Sequence, residues 1–65
     1  MSAGQYLYRR FVLPSKKLIE VRRVEDGSRP EVVVREVNDN NELSQHEFNL
    51  TLQFLLTQAR EVRRV

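Results

Sequence analysis

The chain has 65 residues with a net charge of +2; 40% of them are hydrophobic and 31% charged, and there is no cysteine and a single histidine. This composition predicts one small ordered domain, and the lack of cysteine excludes disulfides and thiolate zinc sites. A domain of this size buries only about 60% of the surface that its unfolded chain exposes. Because disulfides cannot stabilise it, association is the remaining route, and we expect a homodimer.

The sequence shows no signal for export or for membrane insertion. Residues 1–5 lack the basic start and the apolar run of a signal peptide. No apolar stretch approaches the roughly 20 residues needed to cross a bilayer. We therefore expect a cytoplasmic protein with no membrane partner.

Three strands are predicted in the first part of the chain, at about 5–13, 17–24 and 31–37. The first is rich in aromatic and β-branched residues without a helical period, and the second and third alternate or cluster apolar residues as strands do. Turn signals separate them at Pro14, at Asp26-Gly27 and at residues 38–41. The short connections predict an antiparallel meander.

The last third of the chain predicts one long helix at about 44–63. Ser44 can cap this helix, with Glu47 completing a capping box and with Leu43 and Phe48 placed for a hydrophobic staple. At about 100° per residue, one stripe of the helix is apolar and should face the sheet. The stripe comprises Phe48, Leu52, Leu55, Leu56, Ala59 and Val62. The predicted fold is therefore α+β, with a three-stranded antiparallel meander followed by one long C-terminal helix on one sheet face.

A second apolar patch on the predicted helix indicates a partner. Leu50 and Phe54 lie four residues apart outside the stripe, where Val65 can join them. Because large apolar patches are rare on small monomers, we interpret these residues as a dimer or partner surface. The alternative is that long strands curl around the helix and cover Leu50 and Phe54 within one chain.

No arrangement of residues points to catalysis, metal binding or a cofactor. His46 is the single histidine and has no nucleophile placed beside it, while the carboxylates are scattered. Gly4 and Gly27 are too few and too far apart for a phosphate-binding loop. We expect no catalytic residue, no metal site and no cofactor, and hence a protein that is not an enzyme.

The first predicted strand contains two tyrosines and two arginines, and the second contains two further arginines. If Phe11 and Ile19 face the helix, the opposite sheet face displays Tyr6, Tyr8, Arg10 and Arg22. Aromatic rings interleaved with guanidinium groups can stack on unpaired bases and bind phosphates, and a β-ribbon can also read a duplex groove. The alternative is an ordinary solvated sheet face with the cross-strand pairs Arg10–Glu20 and Glu20–Arg35.

The segment from Leu43 to Phe48, followed by Leu52, looks like the acidic and aromatic start of the helix in PUR-type single-strand binders, which commonly dimerise. The order β-β-β-α is also similar to that of three-stranded DNA readers such as integrase arm-binding and methyl-CpG-binding domains. These resemblances imply nucleic-acid binding and assign no residue. Two hypotheses follow: a non-enzymatic protein–protein interaction or regulatory module acting as a homodimer, and, as the alternative, a small nucleic-acid-binding protein.

Overall fold

In the computed structural model, which describes residues 3–62, the chain forms a five-stranded antiparallel sheet and one short α-helix. A 3₁₀-helix at Ala3–Tyr6 precedes the sheet. The elements that follow are β1 (Arg10–Val12), β2 (Leu18–Glu25), β3 (Glu31–Val37), β4 (Leu43–Thr51), α1 (Leu52–Gln58) and β5 (Arg60–Val62). The strands lie side by side in the order β4-β3-β2-β1-β5, so β4 and β5 form the two edges.

The core lies on one face of this sheet, which we call the helix face because α1 packs on it. Alternate residues of the inner strands point to this face and are buried with Leu55 of the helix. The buried cluster comprises Phe11, Leu13, Ile19, Val21, Val32, Val34 and Leu55. The other face, which we call the open face, carries Arg10, Glu20, Arg35 and Glu47 in one row across four strands.

The predicted helix at 44–63 is wrong, since its first part is strand β4 and its last part is β5. From Glu47 to Thr51 the strand alternates polar residues with Phe48 and Leu50, and this period of two is that of a strand with one apolar side, not of a helix. Six residues of β4 pair in register with β3, whose second edge would otherwise be unpaired. Tertiary pairing therefore overrides the apparent capping signal at Ser44.

The helix begins eight residues later than the sequence suggests. Thr51 is its actual N-cap, with extended backbone angles, and its side-chain oxygen accepts a hydrogen bond of 3.1 Å from the Phe54 amide. Leu55 is fully buried, and the helix ends at Gln58 with Ala59 as its C-cap, whose amide donates to the Leu55 carbonyl. Within the described residues, no helix is long and apolar enough to span a membrane.

The three-stranded meander with one long helix is also wrong, although the protein remains a small α+β fold. The strand expected at 5–13 is reduced to Arg10–Val12, because the residues before it form the 3₁₀-helix and a bulge. Two further strands, β4 and β5, come from the segment assigned to the helix. The resemblance to β-β-β-α nucleic-acid modules rested on that order and does not hold.

The position of the helix start gives a stability prediction. Replacing Thr51 with Ala removes the cap and should lower the free energy of unfolding by about 1 kcal/mol. The matched control is Thr57→Ala within the helix, which should change stability by less than about 0.5 kcal/mol because Ala is the better helix former. Chemical denaturation measures both variants. A larger loss for Ser44→Ala than for Thr51→Ala would contradict this helix boundary.

Candidate functional site

The open face carries a row of alternating charges that runs straight across the sheet. The strand register places Arg10 opposite Glu20, Glu20 opposite Arg35, and Arg35 opposite Glu47. Arg35 donates to Glu47 over 3.1 Å, and Arg23 reaches the other carboxylate oxygen over 3.3 Å. Each arginine in the row therefore has a carboxylate partner on a neighbouring strand, which is the cross-strand charge pairing that stabilises solvated sheets.

Glu20 is the centre of the row and the only buried charged residue among the described residues, with 8% of its surface exposed. Arg10 donates to one of its oxygens over 3.0 Å and Arg22 donates to the other. Burial raises the pKa of the Glu20 carboxyl, but the hydrogen bonds and charges of the two arginines outweigh burial and leave the pKa below its ordinary value. Glu20 therefore holds both guanidinium groups in place as an anion.

Tyr8 lies next to this cluster in an unusual backbone conformation. Its φ of 66° is in the left-handed region that favours glycine. The Tyr8 amide donates to the Val21 carbonyl over 2.8 Å, while the Val21 amide donates to the Arg9 carbonyl over 3.0 Å. Two residues thus oppose one, in the pattern of a bulge whose first position is normally glycine. A tyrosine at this position costs about 1–2 kcal/mol of strain.

The Tyr8 side chain is 62% exposed and has the Arg22 guanidinium carbon 5.3 Å from its ring centre. This distance is within the range of a cation–π contact. The same groups line an open groove of about 840 Å³ over the ends of β1, β2 and β5. The groove lining comprises Tyr8, Arg9, Arg10, Leu18, Glu20, Arg22, Glu61 and Val62. The predicted nucleic-acid residues Tyr8, Arg10 and Arg22 therefore lie together in this groove.

Tyr6, the fourth residue predicted for that surface, lies elsewhere. It packs against the core on the helix face, with its ring centre 6.3 Å from that of Phe11. Arg9 lies over Tyr6 at 5.8 Å and pairs with Glu61 over 3.4 Å. The 3₁₀-helix and the bulge break the strict alternation on which the placement of Tyr6 beside Tyr8 depended.

The residues predicted for a partner surface are divided between two elements. Leu50 lies in β4 and packs against the core, whereas Phe54 lies in α1 and is 38% exposed. Val65 is outside the described residues. Further apolar groups near this side remain accessible: Phe48, on the helix face opposite Val34, is 36% exposed, and Leu56 of the helix is 49% exposed.

Phe48 and its neighbours on β4 were missed as surface candidates because a helix was expected there. The signal that could have found them is the alternation of Glu47, Asn49 and Thr51 with Phe48 and Leu50, which indicates a strand with one apolar side. Asn49 on the polar side donates to Glu31 over 3.0 Å and to Glu25 over 3.2 Å.

Neither a metal-binding cluster nor a relative identifies the function of these surfaces. Among residues 3–62, no group of three or more histidine or acidic side chains lies close enough to hold a metal ion. Comparisons with protein-family models, curated proteins and solved structures find no match for this chain. The geometry of the groove and of the helix side is therefore the basis for a functional proposal.

The buried carboxylate gives a prediction for pH dependence. Because the folded state lowers the pKa of Glu20 below its ordinary value of 4.5, its stabilisation is complete above that pH and is lost as the pH falls through the lowered value. Glu20→Gln should cost about 2 kcal/mol at pH 7, and should flatten the decline in stability as the pH falls below 4.5.

Glu36→Gln is the matched control, since Glu36 meets Lys17 at 3.7 Å with both side chains well exposed. Such a pair contributes about 0–1 kcal/mol, so the control should resemble the wild type. Denaturant titrations across this pH range measure all three proteins. Equal pH profiles for the wild type and Glu20→Gln would contradict the assigned role.

Proposed function

We propose that this protein is a small non-enzymatic interaction module that acts as a homodimer. The observation that carries the proposal is the exposure of large apolar side chains on the helix side of the sheet. Phe48, Phe54 and Leu56 keep between 36% and 49% of their surface accessible. Full burial of one large apolar side chain contributes about 1.5–3 kcal/mol, and covering the part that is still exposed here contributes less than half of that for each side chain.

The charge pairing on the open face also favours the helix side of the sheet as the dimer interface. Its arginines are engaged by Glu20 and Glu47, so the charges of this face are largely satisfied within the chain. Val33 is fully buried although it points to this face between Arg23 and Asn49 in the register. The open face therefore has no accessible apolar side chain at this position.

The homodimer proposal predicts a concentration-dependent mass in sedimentation equilibrium. The double variant Phe48→Ser/Phe54→Ser should raise the dimer dissociation constant at least tenfold, because it removes apolar area that association covers. Tyr8→Ser is the matched control, since it removes a large exposed ring from the open face and should leave the dissociation constant unchanged. A strict monomer at all concentrations, or a double variant that dimerises like the wild type, would overturn the proposal.

A second candidate function, nucleic-acid binding, is supported by Tyr8. An exposed aromatic ring is held at a strained backbone position, with Arg22 against one side of it and Arg10 nearby. Backbone strain that persists at an exposed residue is more often found at binding sites than elsewhere. A base stacked on Tyr8 would place its phosphates near Arg10 and Arg22, in competition with Glu20 for the same guanidinium groups.

Nucleic-acid binding at Tyr8 predicts a substitution that weakens oligonucleotide binding without lowering the stability of the fold. Tyr8→Gly should weaken binding of a labelled single-stranded oligonucleotide at least fivefold, since one stacked base contributes about 1–3 kcal/mol. The free energy of unfolding should not fall, because glycine adopts a φ of this sign without strain. Fluorescence anisotropy at two salt concentrations measures binding, and Tyr8→Phe, which keeps the ring, should bind like the wild type. Absence of binding to single strands and duplexes at low salt would exclude this function.

A further inference from the structure

We infer that the outer edge of β4, which pairs with no other strand among residues 3–62, pairs with the same edge of a second copy and joins two five-stranded sheets into one continuous antiparallel sheet. This inference rests on the proposed homodimer and assigns its interface. The two edges of the sheet differ in length and in the number of charged residues. β5 is three residues long and two of them, Arg60 and Glu61, are charged, whereas β4 has nine residues with Glu47 as its one Asp, Glu, Lys or Arg and no proline. A long edge with so few charges is a template for another strand.

The part of β4 that can pair regularly is short and well defined. From Glu47 to Thr51 it pairs one to one with β3, from Arg35 back to Glu31. Before Glu47 the register shifts, because residues 44–46 oppose the single residue Glu36 between the pairs Arg35–Glu47 and Val37–Leu43. After Thr51 the chain becomes helical. The bulge and the helix thus confine edge pairing to five residues centred on Asn49.

The outward-pointing backbone groups follow from the hydrogen bond at the end of the ladder. The Leu52 amide donates to the Pro30 carbonyl over 2.9 Å, which continues the register one step beyond the Glu31–Thr51 pair. In an antiparallel ladder, alternate residues direct both backbone groups to the same neighbour. Leu50 and Phe48 therefore bond to β3, and the amides of Glu47, Asn49 and Thr51 point to the free side.

A two-fold axis through Asn49 uses all three of these residues. Asn49 then opposes Asn49 of the second copy, and Glu47 opposes Thr51 of the second copy on each side of the axis. A register centred on Glu47 would place two carboxylates opposite each other, which is unfavourable. A register centred on Phe48 would draw the bulged residues Gln45 and His46 into the ladder. The register centred on Asn49 avoids both problems.

The side chains on both faces suit this register. On the helix face, Phe48 lies opposite Leu50 of the second copy, and this pair occurs twice about the axis, so that the exposed part of Phe48 is covered. On the open face, Glu47 faces an uncharged threonine, and its own charge is already met by Arg23 and Arg35. The interface therefore leaves no carboxylate without a partner and combines backbone pairing with apolar contact.

Cysteine cross-linking tests the register, since the chain has no cysteine of its own. Residues that exchange both hydrogen bonds across an antiparallel pair have Cα atoms about 5.5 Å apart, within the range of about 4.4–6.8 Å that a disulfide spans. Asn49→Cys should form a covalent dimer on mild oxidation at least tenfold faster than Tyr8→Cys on the open face. Glu47→Cys mixed with Thr51→Cys should give the heterodimer faster than either variant gives a homodimer.

Hydrogen exchange of the unmodified protein gives an independent readout. The Asn49 amide should exchange at least tenfold more slowly at a concentration above the dimer dissociation constant than below it, while the Leu50 amide is protected at both concentrations. A dimer whose Asn49 amide stays unprotected, or whose Asn49→Cys cross-links no faster than the control, would overturn this interface and leave the homodimer standing. A strict monomer would overturn both the interface and the proposed function.

Discussion

The burial of β3 on both faces is the constraint on which the rest of the structure depends. Val32, Val33 and Val34 are consecutive, so two of them point to the helix face and one to the open face, yet all three are buried. A strand of this kind needs neighbours on both edges and cover on both faces. β2 and β4 pair with the two edges of β3, and β4 takes up residues 44–51, the first eight of the segment predicted to be helical. The helix is short for this reason.

The two faces of the sheet are covered in different ways. On the helix face, Leu55 inserts into a conventional apolar core. On the open face, the described chain adds no second helix or sheet, yet Val33 is buried between Arg23 and Asn49 of the neighbouring strands. The aliphatic stems of arginine can shield apolar surface while the guanidinium groups stay at the solvent boundary. On the same face, Arg10 and Arg22 outweigh the effect of burial and lower the pKa of the Glu20 carboxyl, which favours its ionised form.

The proposed functions follow from the side chains and backbone groups that remain accessible on the two faces and at the edge of β4. The helix is too short to cover the whole helix face, so Phe48 remains accessible beside the unprotected edge of β4. Backbone groups and apolar surface are thus available at the same place, which is the combination that strand pairing between chains uses. On the open face, before the start of β1, the bulge holds the exposed Tyr8 ring beside Arg22. The two sites lie on different faces, so occupation of one does not require the other to be vacated.

Local sequence determined the inner hairpin of this protein, because its signals are short-range. The ranges expected for the second and third strands, 17–24 and 31–37, differ from β2 and β3 by at most one residue, and the Asp26-Gly27 and 38–41 turns lie where the chain reverses. The placement of Arg10 and Glu20 on one face also followed from the alternation of side chains along a strand, whereas Tyr8 lies beside Arg22 at a bulge that interrupts this alternation.

Only the tertiary structure decided that residues 43–51 form a strand and that Tyr6 packs against the core. In the segment from Ser44 to Thr51 the local signals conflict: Ser44 and Glu47 resemble a capping box, whereas the alternation of apolar and polar residues after Glu47 indicates a strand. Pairing with the second edge of β3 decides between them. Tyr6 turned to the core because a 3₁₀-helix and a strained bulge interrupted the alternation before β1. Both outcomes depend on contacts between residues distant in sequence, whose free energy exceeds the small local preferences on which the sequence prediction relied.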